Sequence, residues 1–282
     1  MKDKFLIINA DDFGYNGEQN KAISELYGAG LITSTSVMAV ANSADEACAF
    51  AAASGLPVGV HLTINSDNPE NRWKSLSGAS SLEDSFGLHC SQKDIALNAK
   101  RKDVAAELEA QYRFLTERGC TVDHADNHCA TLYGINGRRF YKDAYDFCRR
   151  HSLPYRFPKR PDFLERQLGR SVPKPIIMLH SHIVALGEKA GVHMLDDLVS
   201  NPYSMSKIES YDALRKYYLD AVDNCCDGIT EMFLHPAYPA DCGDEWQKRV
   251  YELELLKSGD ILSRAEQKGV KVVSWQIFSE LK

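Results

Sequence analysis

The amino-acid sequence predicts an α/β fold in which repeated βα units build a parallel sheet, closed or nearly closed into a barrel. Three observations carry that expectation. Apolar runs of strand length alternate with helical patterns along most of the chain. The first run, KFLIINA at 4–10, is apolar at consecutive positions, as a strand covered on both faces must be. Carboxylates and histidines recur just past the ends of these runs, at the edge where barrels place their working residues. Its 282 residues suit a single barrel domain spanning 1–282.

Taken in order, the strand at 4–10 ends at Asp11 and Asp12, and a helical pattern runs from Glu18 to Tyr27. A Thr- and Val-rich strand follows over 31–40, then a helix whose start carries Ser43 and Glu46 in capping-box spacing. PVGVHLTI at 57–64 is the third strand. The polar stretch 65–90 reads as a long loop and a candidate substrate-binding element. A charged helical pattern then ends near Gly119, and a fourth strand at 121–125 leads into DNHCATLYG. A helix at 141–151 precedes a short strand at 153–157. Within 158–203 the run PIIMLHSHIVA suits a strand or a buried helix equally. The alternation resumes with a helix at 211–225, a strand at 229–234, a helix at 245–268 and a last strand, VKVVSWQIF.

Composition narrows the function. A net charge of -6 and scattered basic residues argue against a nucleic-acid surface. No apolar run is long enough for a membrane span, and the apolar run near the N-terminus is too short for an export signal. The eight cysteines form no CxxC pair and no close-set framework, which reads as reduced thiols and points to the cytoplasm.

Four stations carry the chemistry: Asp11 and Asp12 after the first strand, His61 near the end of the third, His124, Asp126 and His128 on and after the fourth, and His235 after the strand at 229–234. Carboxylate oxygen with two imidazoles is a ligand set for Zn²⁺, and a carboxylate-rich version also holds Mg²⁺ or Mn²⁺. Such an ion would acidify a bound water and polarise an amide carbonyl, with a spare Asp taking the proton and His235 protonating the leaving amine. Singly each residue has a structural explanation, such as a helix cap for the Asp pair or a hydrogen-bonded core position for His61. Their recurrence after separate strands favours a metal site. Asp12-Phe13-Gly14 mimics a kinase motif, but no Gly-rich loop or HRD accompanies it. His180 and His182 are expected to line a wall or face solvent, and Cys129 and Cys242 to be buried, inert thiols.

The segments IINADDFGYN (7–16), LITSTSVMA (31–39), GVHLT (59–63), VDHADNH (122–128), FLHPAYPAD (233–241) and RVYELELLKS (249–258) together resemble the YdjC/ChbG-like carbohydrate deacetylases over nearly the whole chain. The resemblance implies a distorted (β/α) barrel of the glycoside hydrolase/deacetylase type and hydrolysis of acetamido groups on N-acetylated sugars such as chitooligosaccharides. It implies that Asp12, His61 and His128 bind a divalent ion, Mg²⁺ or Zn²⁺, that Asp11 is the general base and that His235 assists as general acid. It is also compatible with a homodimer. Two departures stand out: Cys129-Ala130-Thr131 replaces the family's His-rich run, and His235-Pro236-Ala237 replaces its HPG. Two rival functions are another metal-dependent sugar hydrolase or isomerase on the same barrel, and a non-catalytic carbohydrate-binding protein.

Overall fold

The computed structural model describes residues 3–70 and 72–280. Seven parallel strands form its sheet: β1 (Lys4–Phe13), β2 (Ser34–Val37), β3 (Val58–Leu62), β4 (Val122–Asn127), β5 (Asp197–Val199), β6 (Gly228–Leu234) and β7 (Lys271–Val272). Their order is β4-β3-β2-β1-β6-β5, with β7 paired to β1 beside its first residues. Single-residue links span the remaining gap. Ala125 of β4 bridges Tyr155, and Tyr155 bridges Met194 just ahead of β5, both in parallel sense. The strands thus form a distorted (β/α) barrel with helices outside.

Side-chain alternation explains why the barrel can hold a polar interior. On β1, Leu6, Ile8 and Ala10 belong to the large apolar core shared with the helices. Ile7 instead packs in a smaller cluster with Leu195, Ile229 and Trp275 at the barrel's base. Above it, Asn9 and Asp11 point the same way, joined by an Asn9 Nδ2 to Asp11 Oδ1 hydrogen bond of 2.7 Å. The register pairs Gly59 with His124 and His61 with Asp126, so β3 and β4 stack their inward residues in matching layers. His124 lies flat on Trp275, with ring centroids 4.4 Å apart and planes 6° from parallel. Gly59 makes room for that ring: a Cβ there would sit 2.2 Å from His124 Nε2.

Several expectations change. The run at 175–185, which suits a strand or a buried helix, is helical within Lys174–Lys189, and β5 follows it at Asp197–Val199, where the pattern predicts no element. The pattern at 245–268 is two helices, Trp246–Ser258 and Asp260–Gln267, broken at Gly259 with φ 74°. The charged pattern before Gly119 likewise divides into Gln92–Asn98 and Arg101–Glu117. The last strand shrinks to β7, because Trp275 turns under the barrel and Ile277–Glu280 is helical. The Ser43 capping box does not form: Ser43 makes no side-chain cap, and Glu46 Oε2 accepts from Asn20 Nδ2 instead. β1 runs on through Asp11 and Asp12, with an irregularity in its pairing where Asp12 takes φ 65°. Left-handed backbone at a non-glycine residue is costly, and here it sits at the C-terminal edge of the strands.

Candidate metal centre

The strand ends bring Asp12, His61 and His128 to one buried point. Asp12 Oδ1 lies 3.2 Å from His61 Nε2 and 3.4 Å from His128 Nδ1, and the two nitrogens are 3.3 Å apart. Neither Asp12 oxygen has an aligned hydrogen bond, although both are buried. Arg249 Nη2 approaches Oδ2 to 2.9 Å as an ion pair without hydrogen-bond alignment. Ligands about 2.0–2.1 Å from a tetrahedral ion stand about 3.3–3.4 Å from one another, so this triangle has the dimensions of a ligand set.

Charge supports the same conclusion. Asp11, Asp12, Asp126 and Glu231 are buried together, while Arg156 and Arg249 supply the nearby guanidiniums. Carboxylates outnumber guanidiniums, and unbalanced buried negative charge is expensive. A divalent cation, or protons on His61 and His128, would offset the excess. Without an ion the protons are held tightly. Burial opposes the His61 imidazolium, yet Asp126 and Asp12 outweigh burial and push its pKa up to about 10. His128 is likewise held well above the usual range, against burial, chiefly by Cys129, Asp67 and Asp12. Asp12 is stabilised as carboxylate, since Arg249 and the two imidazoles overcome its burial and keep it well below the usual range.

Asp11 and His235 border this triangle, with His235 Nε2 3.9 Å from Asp11 Oδ2. Asp11 Oδ1 accepts from Asn9 and from Arg156 Nη2 at 2.7 Å, while Oδ2 accepts from Arg156 Nη1 at 2.6 Å. The second lone pair of Oδ2 is left over. His235 is partly exposed, and its backbone N–H donates to Glu252 Oε2 at 2.6 Å. Glu252 is buried and also accepts from the Tyr218 hydroxyl at 2.8 Å.

Of the other candidates, Asp126 is a buried partner of His61 Nδ1 at 2.8 Å and of Arg156 at 2.8 Å. His124 lies a layer lower, with Nδ1 on Asp123. His180 donates to the Pro158 carbonyl and stacks on Phe157, and His182 is exposed. Cys129 and Cys242 are exposed, contrary to expectation, because the chain turns outward in the loops after β4 and β6. Sequence reasoning missed Arg156, Glu231, Asp67, Arg249 and Glu252. A lone charge inside an apolar strand was the available signal for Glu231 in ITEMFL and for Arg156 in LPYRF. The loop at 65–90 does reach the site: Asp67 Oδ1 is 2.6 Å from His128 Nε2, and Trp73 packs edge-on against the same ring.

Fold and site together define a (β/α)-barrel protein whose strand ends carry a buried Asp-His-His set able to hold a divalent ion. A family model described as YdjC-like protein matches residues 5–267, and the chain belongs to that family. It is 34% identical to a chitooligosaccharide deacetylase of Proteus mirabilis, over 96% of this chain and 97% of that one. It is 26% identical to a carbohydrate deacetylase of Geobacillus stearothermophilus, over 99% of both. A crystal structure from Enterococcus faecalis V583, described as a candidate cellobiose-phosphate cleavage protein, superimposes with a TM-score of 0.76 at 25% identity, covering 98% of this chain and 99% of that one.

Proposed function

We propose that the protein is a divalent-metal-dependent deacetylase that hydrolyses the acetamide of N-acetylated sugars or chitooligosaccharides. The observation that carries the reading is the Asp12-His61-His128 triangle set directly beside Asp11 and His235. The names of the relatives supply the substrate class.

Asp12, His61 and His128 would hold the ion, and their two nitrogen donors favour Zn²⁺ over Mg²⁺. When bound, such an ion polarises the amide carbonyl and acidifies water. Asp11 takes the proton of the attacking water on the free lone pair of Oδ2, while Arg156 and Asn9 fix the carboxylate's orientation. Water oxygen bonds to the acetyl carbon, and His235 delivers a proton to the amine nitrogen as the C–N bond breaks. The products are acetate and a free amino sugar. The 3.9 Å between Asp11 and His235 is short enough for the captured proton to return to the imidazole after a small movement. Glu252 orients His235 through its backbone. With its cysteines all free thiols, we place the reaction in the cytoplasm, and we carry forward a homodimer as the assembly to test. No helix among the described residues is long and apolar enough to cross a membrane.

The test is acetate release from N,N′-diacetylchitobiose by metal-stripped protein titrated separately with Zn²⁺ and Mg²⁺. Metal-dependent acetate with an intact glycosidic bond supports deacetylation. Cleavage of the glycosidic bond, or binding without acetate, overturns it.

A further inference from the structure

The loop that follows β4 brings a thiol, a carboxylate and an imidazole nitrogen together on the solvent side of His128. Asp67, His128 and Cys129 each offer one donor atom, and the three atoms lie within 4.8 Å of one another. Asp67 Oδ1 is 2.6 Å from His128 Nε2 and 3.6 Å from Cys129 Sγ. Asp67 and Cys129 are exposed, whereas His128 is buried. His128 turns a different nitrogen to each side: Nδ1 faces Asp12 and His61, and Nε2 faces Asp67. The two groups therefore share a ring without competing for an atom.

We propose that Asp67, His128 and Cys129 form a second cation site, open to solvent, that takes zinc-class divalent ions and leaves Mg²⁺ out. The donor chemistry sets that selectivity. Thiolate is a soft ligand that Zn²⁺ and Cd²⁺ accept readily, while Mg²⁺ demands oxygen ligands and sheds its water reluctantly. One sulfur, one nitrogen and one oxygen make three protein ligands, and water from the exposed side completes the shell. The ion replaces the proton now shared between Asp67 and His128 Nε2 and displaces the Cys129 thiol proton, both leaving to solvent. Asp67 comes from the 65–90 loop and Cys129 from the turn after β4, so the occupied site ties that loop to the barrel. The site goes beyond the deacetylase reading and depends on it only through the shared His128.

The experiment is a Cd²⁺ titration of the metal-stripped full chain in phosphine reductant, following bound equivalents and the near-ultraviolet thiolate-to-cadmium absorption. Wild-type protein is expected to bind two equivalents and to develop the band. Cys129→Ser and Asp67→Ala should each bind one equivalent, and Cys129→Ser should lose the band while Cys242→Ser keeps it. Asp12→Asn should lose the inner equivalent and retain the band, which separates this site from the proposed catalytic one. Equal stoichiometry and band in wild type and Cys129→Ser would overturn the proposal, as would loss of the band in Asp12→Asn.

Discussion

Arg156 grips Asp11 with both terminal nitrogens, at 2.6 and 2.7 Å, and the same side chain reaches Asp126 and Glu231 at 2.8 Å each. One guanidinium thus organises three buried carboxylates around the barrel axis. The fork geometry matters as much as the charge. Arg156→Lys keeps the charge and loses the fork, and it is expected to lower kcat about 10²-fold through misplacement of Asp11. KM should change little. Arg156→Ala is expected to cost about 3–5 kcal/mol of stability, since it leaves the carboxylates uncompensated. Steady-state kinetics and thermal denaturation check the two.

Asp11→Asn preserves shape and removes the proposed base. Turnover should fall by about 10²–10⁴-fold while the ion stays bound. Near-normal rates with bound metal would rule Asp11 out as the base, and His128→Ala should instead lose the inner ion, read as metal content after dialysis.

Metal binding and pH are coupled with a definite sign. The His61 pKa rises to about 10 in the folded, ion-free protein, against about 6.5 for an unfolded histidine. A raised pKa contributes stability that is complete below about pH 6.5 and is lost as pH rises through about 10. An ion held by Asp12, His61 and His128 would take the place of the protons, so the loaded protein would escape this loss. The gain in melting temperature on adding chelator-buffered Zn²⁺ is therefore expected to grow from about pH 6.5 to about pH 9.5. A gain that shrinks across that range would refute the assignment of His61 as a ligand. In weak buffer near neutral pH, binding should release about two protons per inner ion.

Gly59 is predicted to tolerate no side chain. In Gly59→Ala the new methyl group would meet His124 Nε2 at 2.2 Å, and the ring cannot retreat because Trp275 stacks on it. The expected loss is about 1–3 kcal/mol, from overpacking. An unchanged melting temperature would show that the His124 ring moves freely.

Glu252 is buried beneath the His235 backbone, and Glu252→Gln is expected to reduce kcat about tenfold with metal content intact, by loosening the imidazole. A shift in the alkaline limb of the pH-rate profile distinguishes this from general destabilisation.

The barrel and its rim were readable because both depend on local pattern. Strand-length segments with Asp12, His61 and His128 near or just past their ends locate those residues at one edge, whatever the detailed packing. What stayed hidden depends on long-range geometry. Arg156 meets Asp11 across 145 positions of sequence and Glu231 across 75, and no periodicity records such a partnership. β5 escaped for another reason: a segment of three residues carries too few side chains for alternation to show, while the strand expected at 153–157 shrinks to the single bridges at Tyr155. Cys129 took an exposed position because the chain passes through left-handed backbone there, at φ 52°, which a non-glycine residue rarely adopts.

The placement of Trp275 bears on any attempt to trim the protein. The family match ends at residue 267, and every proposed catalytic and metal-binding residue lies before that point. The indole that seals the barrel from below lies beyond it. A fragment cut to the shared stretch would keep the whole reaction inventory and yet open a drain under it, letting water reach His124 and the charged layers above. Designs intended to shorten the enzyme should therefore treat its tail as flooring, not as packaging.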